Sequence, residues 1–111
     1  MLPLLKAQKH QMLQQINATE LLSRLNNGEQ LNLIDVRGAM EFHTYNIGGN
    51  NIPLPKLEQG INDLHYNKTD EIIVICKVGL RSKTAQTILQ QNGYQNVKNL
   101  AGGLVAIQKI K

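Results

Sequence analysis

The chain is poor in most of the features that would point to a specialised environment. It has one cysteine, no tryptophan, three tyrosines and one phenylalanine. A single cysteine cannot close an internal disulfide, so nothing here argues for an oxidising compartment. The apolar stretch near the start, Leu2–Leu5, is interrupted by Pro3. It is too short for a signal-peptide core or a membrane span, which points to a soluble, cytoplasmic domain. Twelve basic against eight acidic residues leave a net charge of only +4, and the lysines and arginines are scattered. Phe42, Tyr45, Tyr66 and Tyr94 are the only aromatics available for stacking. That pattern reads as an ordinary solvated surface and excludes the basic, aromatic-lined stripe that nucleic acid binding requires. His10, His43 and His65 are isolated and no pair has ligand spacing, so neither a metal site nor a cofactor is expected.

What is present is a regular alternation of short elements. With 111 residues, 41% of them hydrophobic, the chain suits one small domain with a single core. Residues 1–15, rich in Gln and Lys, read as a lead-in or linker segment, and 16–111 as the domain. "TELLSRLNNG" offers Thr19 as a helix cap, Leu21, Leu22 and Leu25 on one face, and Gly28 as a stop. "LNLIDV" (31–36) is a strand, followed by a brief helix over 39–44 and a short extended piece, "NNIPL" (50–54). Pro53 and Pro55 open a helix carrying Leu57, Ile61 and Leu64. "EIIVIC" (71–76) is β-branched and lacks alternation, as a strand covered on both faces must be. "SKTAQTILQQNG" then predicts a helix from Ser82, with Ala85, Ile88 and Leu89 inward and Gly93 at its end. "NVKNL" (96–100) is a last strand, and "GGLVAIQKI" a last helix. Such alternation implies an α/β layer structure with a parallel sheet.

In such sheets ligands bind beyond the carboxyl ends of the strands. Cys76 stands at that end of the most apolar strand, and the chain must turn from strand to helix through "KVGLR" in a few residues. Gly79 supplies the backbone freedom for the turn. Turns of this kind aim successive N–H groups into one concavity that binds anions, here a thiolate. A free cysteine with a pKa of about 8.5 is only about 3% thiolate at pH 7. A helix N-terminus contributes at most about 1.5 pKa units, so further N–H donors and the charges of Lys77 and Arg81 are needed for the anion to dominate. The alternative is that Cys76 is simply a small buried residue. Asp35 and Arg37 close the preceding strand on the same edge, either as a buried pair bracing the loop or to steer anionic donors. Ser82 is either a donor to the sulfur or a plain helix cap.

The segment "CKVGLRS" (76–82) resembles the active-site loop of rhodanese-type sulfurtransferases. "LIDVRGAMEF" (33–42), "NIGGNNIPL" (46–54) and "YQNVKNLAGGLVAI" (94–107) resemble further segments of that family, in order and with spacing kept from about Ile16 to the end. The resemblance implies the rhodanese-like fold, a five-stranded parallel sheet with helices on both faces. It also implies that Cys76 takes up sulfane sulfur as a persulfide from thiosulfate or a protein persulfide and passes it to a thiophilic acceptor. The substrate-binding loop would be Lys77, Val78, Gly79, Leu80, Arg81 and Ser82, with Asp35 and Arg37 in support.

Asn46 and Gly48 depart from the family's histidine and proline, and Ile107 from a common tryptophan; these positions are chiefly structural. The stretch around Cys76 is especially similar to rhodanese domains fused to adenylating enzymes, which makes a ubiquitin-fold sulfur carrier a candidate acceptor in cofactor synthesis or tRNA thiolation. Two rivals stay open. One is a docking or regulatory module without chemistry. The other is a cysteine phosphatase or arsenate reductase, which wants Cys-x5-Arg where this chain has Cys-x4-Arg.

Overall fold

The computed structural model describes residues 14–111, so the expected lead-in lies outside the described residues except for Gln14 and Gln15. Five strands, β1 (Gln15–Ile16), β2 (Asn32–Asp35), β3 (Asn50–Asn51), β4 (Glu71–Ile75) and β5 (Asn96–Leu100), form one sheet in the order β1-β5-β4-β2-β3. Every neighbouring pair is parallel. The helices are α1 (Ala18–Asn26), α2 (Ala39–Thr44), α3 (Leu54–Gln59), α4 (Leu80–Gln91) and α5 (Gly103–Ile110), with a 3-10 turn at Ile61–Asp63. This is the expected α/β architecture.

Strand β4 occupies the middle of the sheet, and its pleat divides its side chains between two cores. Ile72, Val74 and Cys76 pack with Leu57, Ala85 and Leu89 beneath α3 and α4. Ile73 and Ile75 pack with Leu21, Leu104 and Ile107 beneath α1 and α5. Burial on both faces is why the run carries no alternation. Asp35 pairs in register with Ile75, so β2 and β4 end side by side and deliver Arg37 and Cys76 to the same edge.

Several local details differ from the sequence-based expectation. Asn17, not Thr19, caps α1, its side chain accepting from the Glu20 N–H at 2.8 Å. The helix opened by Pro53 stops at Gln59 because the chain turns at Gly60 into the 3-10 segment, so Ile61 and Leu64 pack from outside it. Helix α4 begins at Leu80 rather than Ser82, which is therefore not its cap. Along α4 Ala85 and Leu89 are buried but Ile88 only partly, and Gln86 is buried by donating to the carbonyls of Gln14 and Val97. Strand β1 lies outside the elements that the sequence pattern predicts. Two residues have no readable period, although Ile16 is only 1% exposed.

The start of α5 is fitted against the loop after β4. The N–H groups of Leu104 and Val105 donate to the carbonyls of Cys76 and Lys77, each at 3.0 Å. Gly103 has φ +61°, and a Cβ there would lie 2.4 Å from the Lys77 carbonyl oxygen and 2.6 Å from that of Cys76. Gly28 has φ +82° but open space around it. The Gly28→Ala substitution should therefore bear only the left-handed backbone cost of about 1–2 kcal/mol, and Gly103→Ala should cost clearly more because the loop must move. Urea denaturation midpoints of the two variants check this; equal losses would mean that the loop yields freely.

Candidate active site

Cys76 leaves the end of β4 with its residue only 1% exposed. Buried sulfur at a strand end needs hydrogen-bond donors, and the next residues supply them from the backbone. Gly79 adopts φ +96°, a left-handed conformation that turns the chain back and aims its N–H at Sγ, 3.1 Å away. The turn runs straight into α4, whose first-turn N–H of Ser82 reaches Sγ at 3.3 Å. The first N–H groups of a helix have no intrahelical partner, so the sulfur satisfies one of them. The Ser82 hydroxyl lies 3.2 Å from Sγ.

Burial alone pushes the Cys76 thiol up. The Ser82 hydroxyl and the N–H groups of Ser82, Gly79 and Val78 more than offset it, and the thiol is held below the ordinary cysteine range.

A carboxylate and guanidinium framework surrounds this nest. Asp35, fully buried, accepts from the Arg37 backbone N–H at 3.1 Å and from its Nε and Nη2 at 2.9 and 2.8 Å. Arg37 also donates to the carbonyls of Glu41 and Tyr45 at 3.3 and 2.7 Å. Its fork is thus occupied by β2 and α2. Arg81 is likewise engaged: its two terminal nitrogens donate to the two oxygens of Glu41 at 2.8 and 3.0 Å. This bidentate pair joins α2 to α4 beside the loop, both side chains about 40% exposed. The Arg81 fork, together with the Gly38 N–H and against some burial, pulls the Glu41 carboxyl down to about 2. Arg81 is raised, first by Glu41, and it also senses the Cys76 sulfur.

The structure therefore gathers all the sequence-derived candidates at one sheet edge but in different postures. Cys76, Gly79 and Ser82 point inward to the nest. Lys77, Val78 and Leu80 face outward, Val78 and Leu80 being 48% and 68% exposed. Among the described residues the Lys77 ammonium has no ion-pair partner. It borders a hollow of about 390 Å³ between the loop, α2 and α5, lined also by Met40, Tyr45 and Gln108.

Two residues of the site escaped the sequence reading. Glu41 lies within "LIDVRGAMEF" but nothing local marks it as the partner of an arginine 40 residues away. Asn99, 1% exposed on β5, accepts from the Ser82 hydroxyl at 2.5 Å and donates to the Gly79 carbonyl at 3.2 Å. The available signal was a polar residue inside the strand "NVKNL". Among the described residues no cluster of His, Cys, Asp and Glu could hold a metal ion, and no helix is long and apolar enough to cross a membrane.

A thiol held down by several donors should react at neutral pH. The pH profile of iodoacetamide alkylation should have its midpoint clearly below about 8.5, the value of a free cysteine. Removing a donor in Ser82→Ala should raise it. A wild-type midpoint at or above the free value would mean that burial wins over the hydrogen bonds.

Comparison with known proteins agrees with this geometry. The family model described as Rhodanese-like domain matches residues 17–110. The thiosulfate sulfurtransferase PspE of Escherichia coli is 37% identical over 81 residues, 70% of this chain and 77% of that protein. The YrkF protein of Bacillus subtilis is 33% identical over 91 residues, 81% of this chain and 48% of YrkF. The adenylyltransferase and sulfurtransferase MOCS3-2 of Zea mays is 32% identical over 97 residues, 82% of this chain but only 20% of the maize protein. The chain thus spans about half of YrkF and a fifth of the maize enzyme. Among solved structures, the rhodanese-like domain of the Anabaena protein Alr3790 superposes with a TM-score of 0.77 at 28% identity, covering 86% of this chain and 74% of that one. The human single-domain sulfurtransferase TSTD1 gives 0.74 at 26%, covering 87% and 96%. With its cysteine nest at the end of the central strand of a five-stranded parallel sheet, this chain belongs to the rhodanese-like domain family.

Proposed function

We propose that this domain is a sulfurtransferase in which Cys76 is the nucleophile and sulfur carrier. The observation that carries this reading is the convergence of the Gly79 and Ser82 N–H groups and the Ser82 hydroxyl on one buried sulfur. The Cys76 thiolate attacks the outer, sulfane sulfur of thiosulfate. A bond forms between Sγ and that sulfur, the sulfur–sulfur bond of thiosulfate breaks, and its electron pair leaves on sulfite. A thiophile such as cyanide then takes the outer sulfur from the persulfide and returns the Sγ thiolate.

The short loop favours this chemistry over phosphoryl or arsenate chemistry. Residues 77–82 enclose one sulfur, and with Arg81 only five positions after Cys76 the loop is one residue shorter than the Cys-x5-Arg cradle that rings a tetrahedral oxyanion. A module that only docks partners would have no use for a depressed thiol. Likeness to MOCS3-2, whose name joins adenylyl transfer with sulfur transfer, supports a sulfur-carrier protein as acceptor and a role of the molybdopterin-biosynthesis type. A reactive lone thiol suits the reducing cytoplasm. Lys77, exposed and unpaired among the described residues, meets an anionic donor first. Arg81 joins in when the donor's oxygens replace the carboxylate of Glu41.

The direct test is steady-state turnover of thiosulfate with cyanide, read as thiocyanate. Wild type should turn over and Cys76→Ser should not; thiocyanate from the serine variant at the wild-type rate would remove Cys76 from the reaction.

The Glu41–Arg81 pair gives a prediction with opposite signs. Glu41→Gln keeps a side chain that can accept from the Gly38 N–H while releasing the Arg81 fork, and should lower KM for thiosulfate several-fold, up to about tenfold. Arg81→Ala should lower kcat/KM for thiosulfate roughly 10- to 150-fold and loading from a protein persulfide much less. Equal losses in both variants and with both donors would make the pair a brace for the loop rather than a reader of the donor.

A further inference from the structure

Beside the nucleophile lies a closed ring of hydrogen bonds that the proposed reaction does not by itself require. Its members are Cys76, Gly79, Ser82 and Asn99, each nine-tenths or more buried. The Gly79 N–H donates to Sγ at 3.1 Å, and Asn99 Nδ2 donates to the Gly79 carbonyl at 3.2 Å. Ser82 Oγ lies 2.5 Å from Asn99 Oδ1 and 3.2 Å from Sγ. A serine hydroxyl has one proton. When Cys76 is a thiol, every group is satisfied: S–H donates to Ser82 Oγ, and Ser82 O–H donates to Asn99 Oδ1. When Cys76 is a thiolate, the sulfur and Asn99 Oδ1 both want the same Ser82 proton, and one of them goes without. The amide cannot escape by turning over, because the Gly79 carbonyl demands a donor where Nδ2 now sits, and Oδ1 there would face another acceptor.

We infer that Asn99 is a positioning residue that competes with the Cys76 sulfur for the Ser82 hydroxyl proton and so restrains the thiolate. The residue acts through Ser82 and touches no reacting atom in this role. The charged groups around Cys76 are Arg81 from α4, Lys77 on the loop, Asp35 and Arg37 at the end of β2, and Glu41 from α2. Strand β5 adds Lys98, which is bound to Glu71 at 2.5 Å, and the first turn of α5 adds none. None of these is altered by the variants below.

The consequence for turnover rests on the function proposed above, although the proton competition itself does not. Once Sγ bears an outer sulfur, the negative charge moves outward and Sγ becomes a poor acceptor. The Ser82 proton can then return to Asn99, and the unmade bond is restored. Asn99 thereby favours the loaded cysteine over the empty thiolate.

The experiment is the pH midpoint of Cys76 alkylation in the wild type, Asn99→Ala, Ser82→Ala and the double variant, which needs no sulfur donor. Asn99→Ala should move the midpoint down by up to about 1 pH unit, a tenfold gain in acidity, because the Ser82 proton becomes free for the sulfur. Ser82→Ala should move it up, and adding Asn99→Ala to Ser82→Ala should change nothing further. A residue that merely braced the loop would act the other way, its loss loosening the N–H donors and raising the midpoint. An unchanged or raised midpoint in Asn99→Ala, or an equal downward shift without Ser82, overturns the proposal. If Asn99→Ala does not fold, the wild type serves: the Asn99 side-chain amide resonances should titrate with the Cys76 midpoint, and should lose that titration in Ser82→Ala. Amide signals constant across the midpoint, or titrating equally without Ser82, overturn it too. Should the alkylation pattern hold while thiosulfate gives no thiocyanate, the proton competition stands and the sulfurtransferase reading alone falls.

Discussion

A sulfur at the end of a central strand sits where water cannot hydrate its anion, so the chain itself must provide the donors or leave it a thiol. The rest of this structure is arranged around that requirement. The left-handed turn at Gly79 and the immediate start of α4 bring N–H groups to Sγ that a helix would otherwise leave unpaired. Gly103 at the start of α5 lets that helix approach closely enough to bind the Cys76 and Lys77 carbonyls from behind. With its carbonyls tied down on one side, the loop can keep its N–H groups turned to the other.

Charge is organised in the same spirit. Arg37 and Arg81 both stand at the sheet edge that carries Cys76, yet each already holds a carboxylate, one buried and one at the surface. The buried pair supports α2 and the end of β2. In the surface pair, Coulomb attraction is weakened by solvent, which makes it the one that an incoming anion can exchange with. Among the described residues, a site built this way presents one unpaired ammonium, that of Lys77, a partly apolar rim of Met40, Val78 and Leu80, and a sulfur recessed behind them. Such an arrangement suits reaction at a single exposed atom of the donor rather than envelopment of a tetrahedral ion.

Much of this was legible in the sequence because periodicity and turn chemistry are local. The β-branched run 71–76 reads as a doubly covered strand, and the structure puts it mid-sheet. "NVKNL" and the segment over 39–44 fall on the strand and helix found there. The seam at Cys76 was identifiable from its place and from Gly79. What escaped depends on contacts distant in sequence. Glu41 and Arg81 are 40 residues apart, and nothing local says which carboxylate fills an arginine fork. Asn99 meets Ser82 only because β5 lies beside β4. Edge strand β1 owes its existence to pairing with β5 rather than to a pattern of its own. The cap at Asn17 was missed for a smaller reason: the adjoining "NATE" offers two good capping residues, and the choice between them is made by backbone geometry.

The central claim is that the recessed sulfur of Cys76 accepts and holds a sulfane sulfur. It is tested most directly by the intact mass of the protein after exposure to thiosulfate and removal of excess donor. The account predicts a gain of one sulfur atom, removed by dithiothreitol and absent in Cys76→Ser. A wild-type protein that gains nothing, or a serine variant that gains as much, would contradict it.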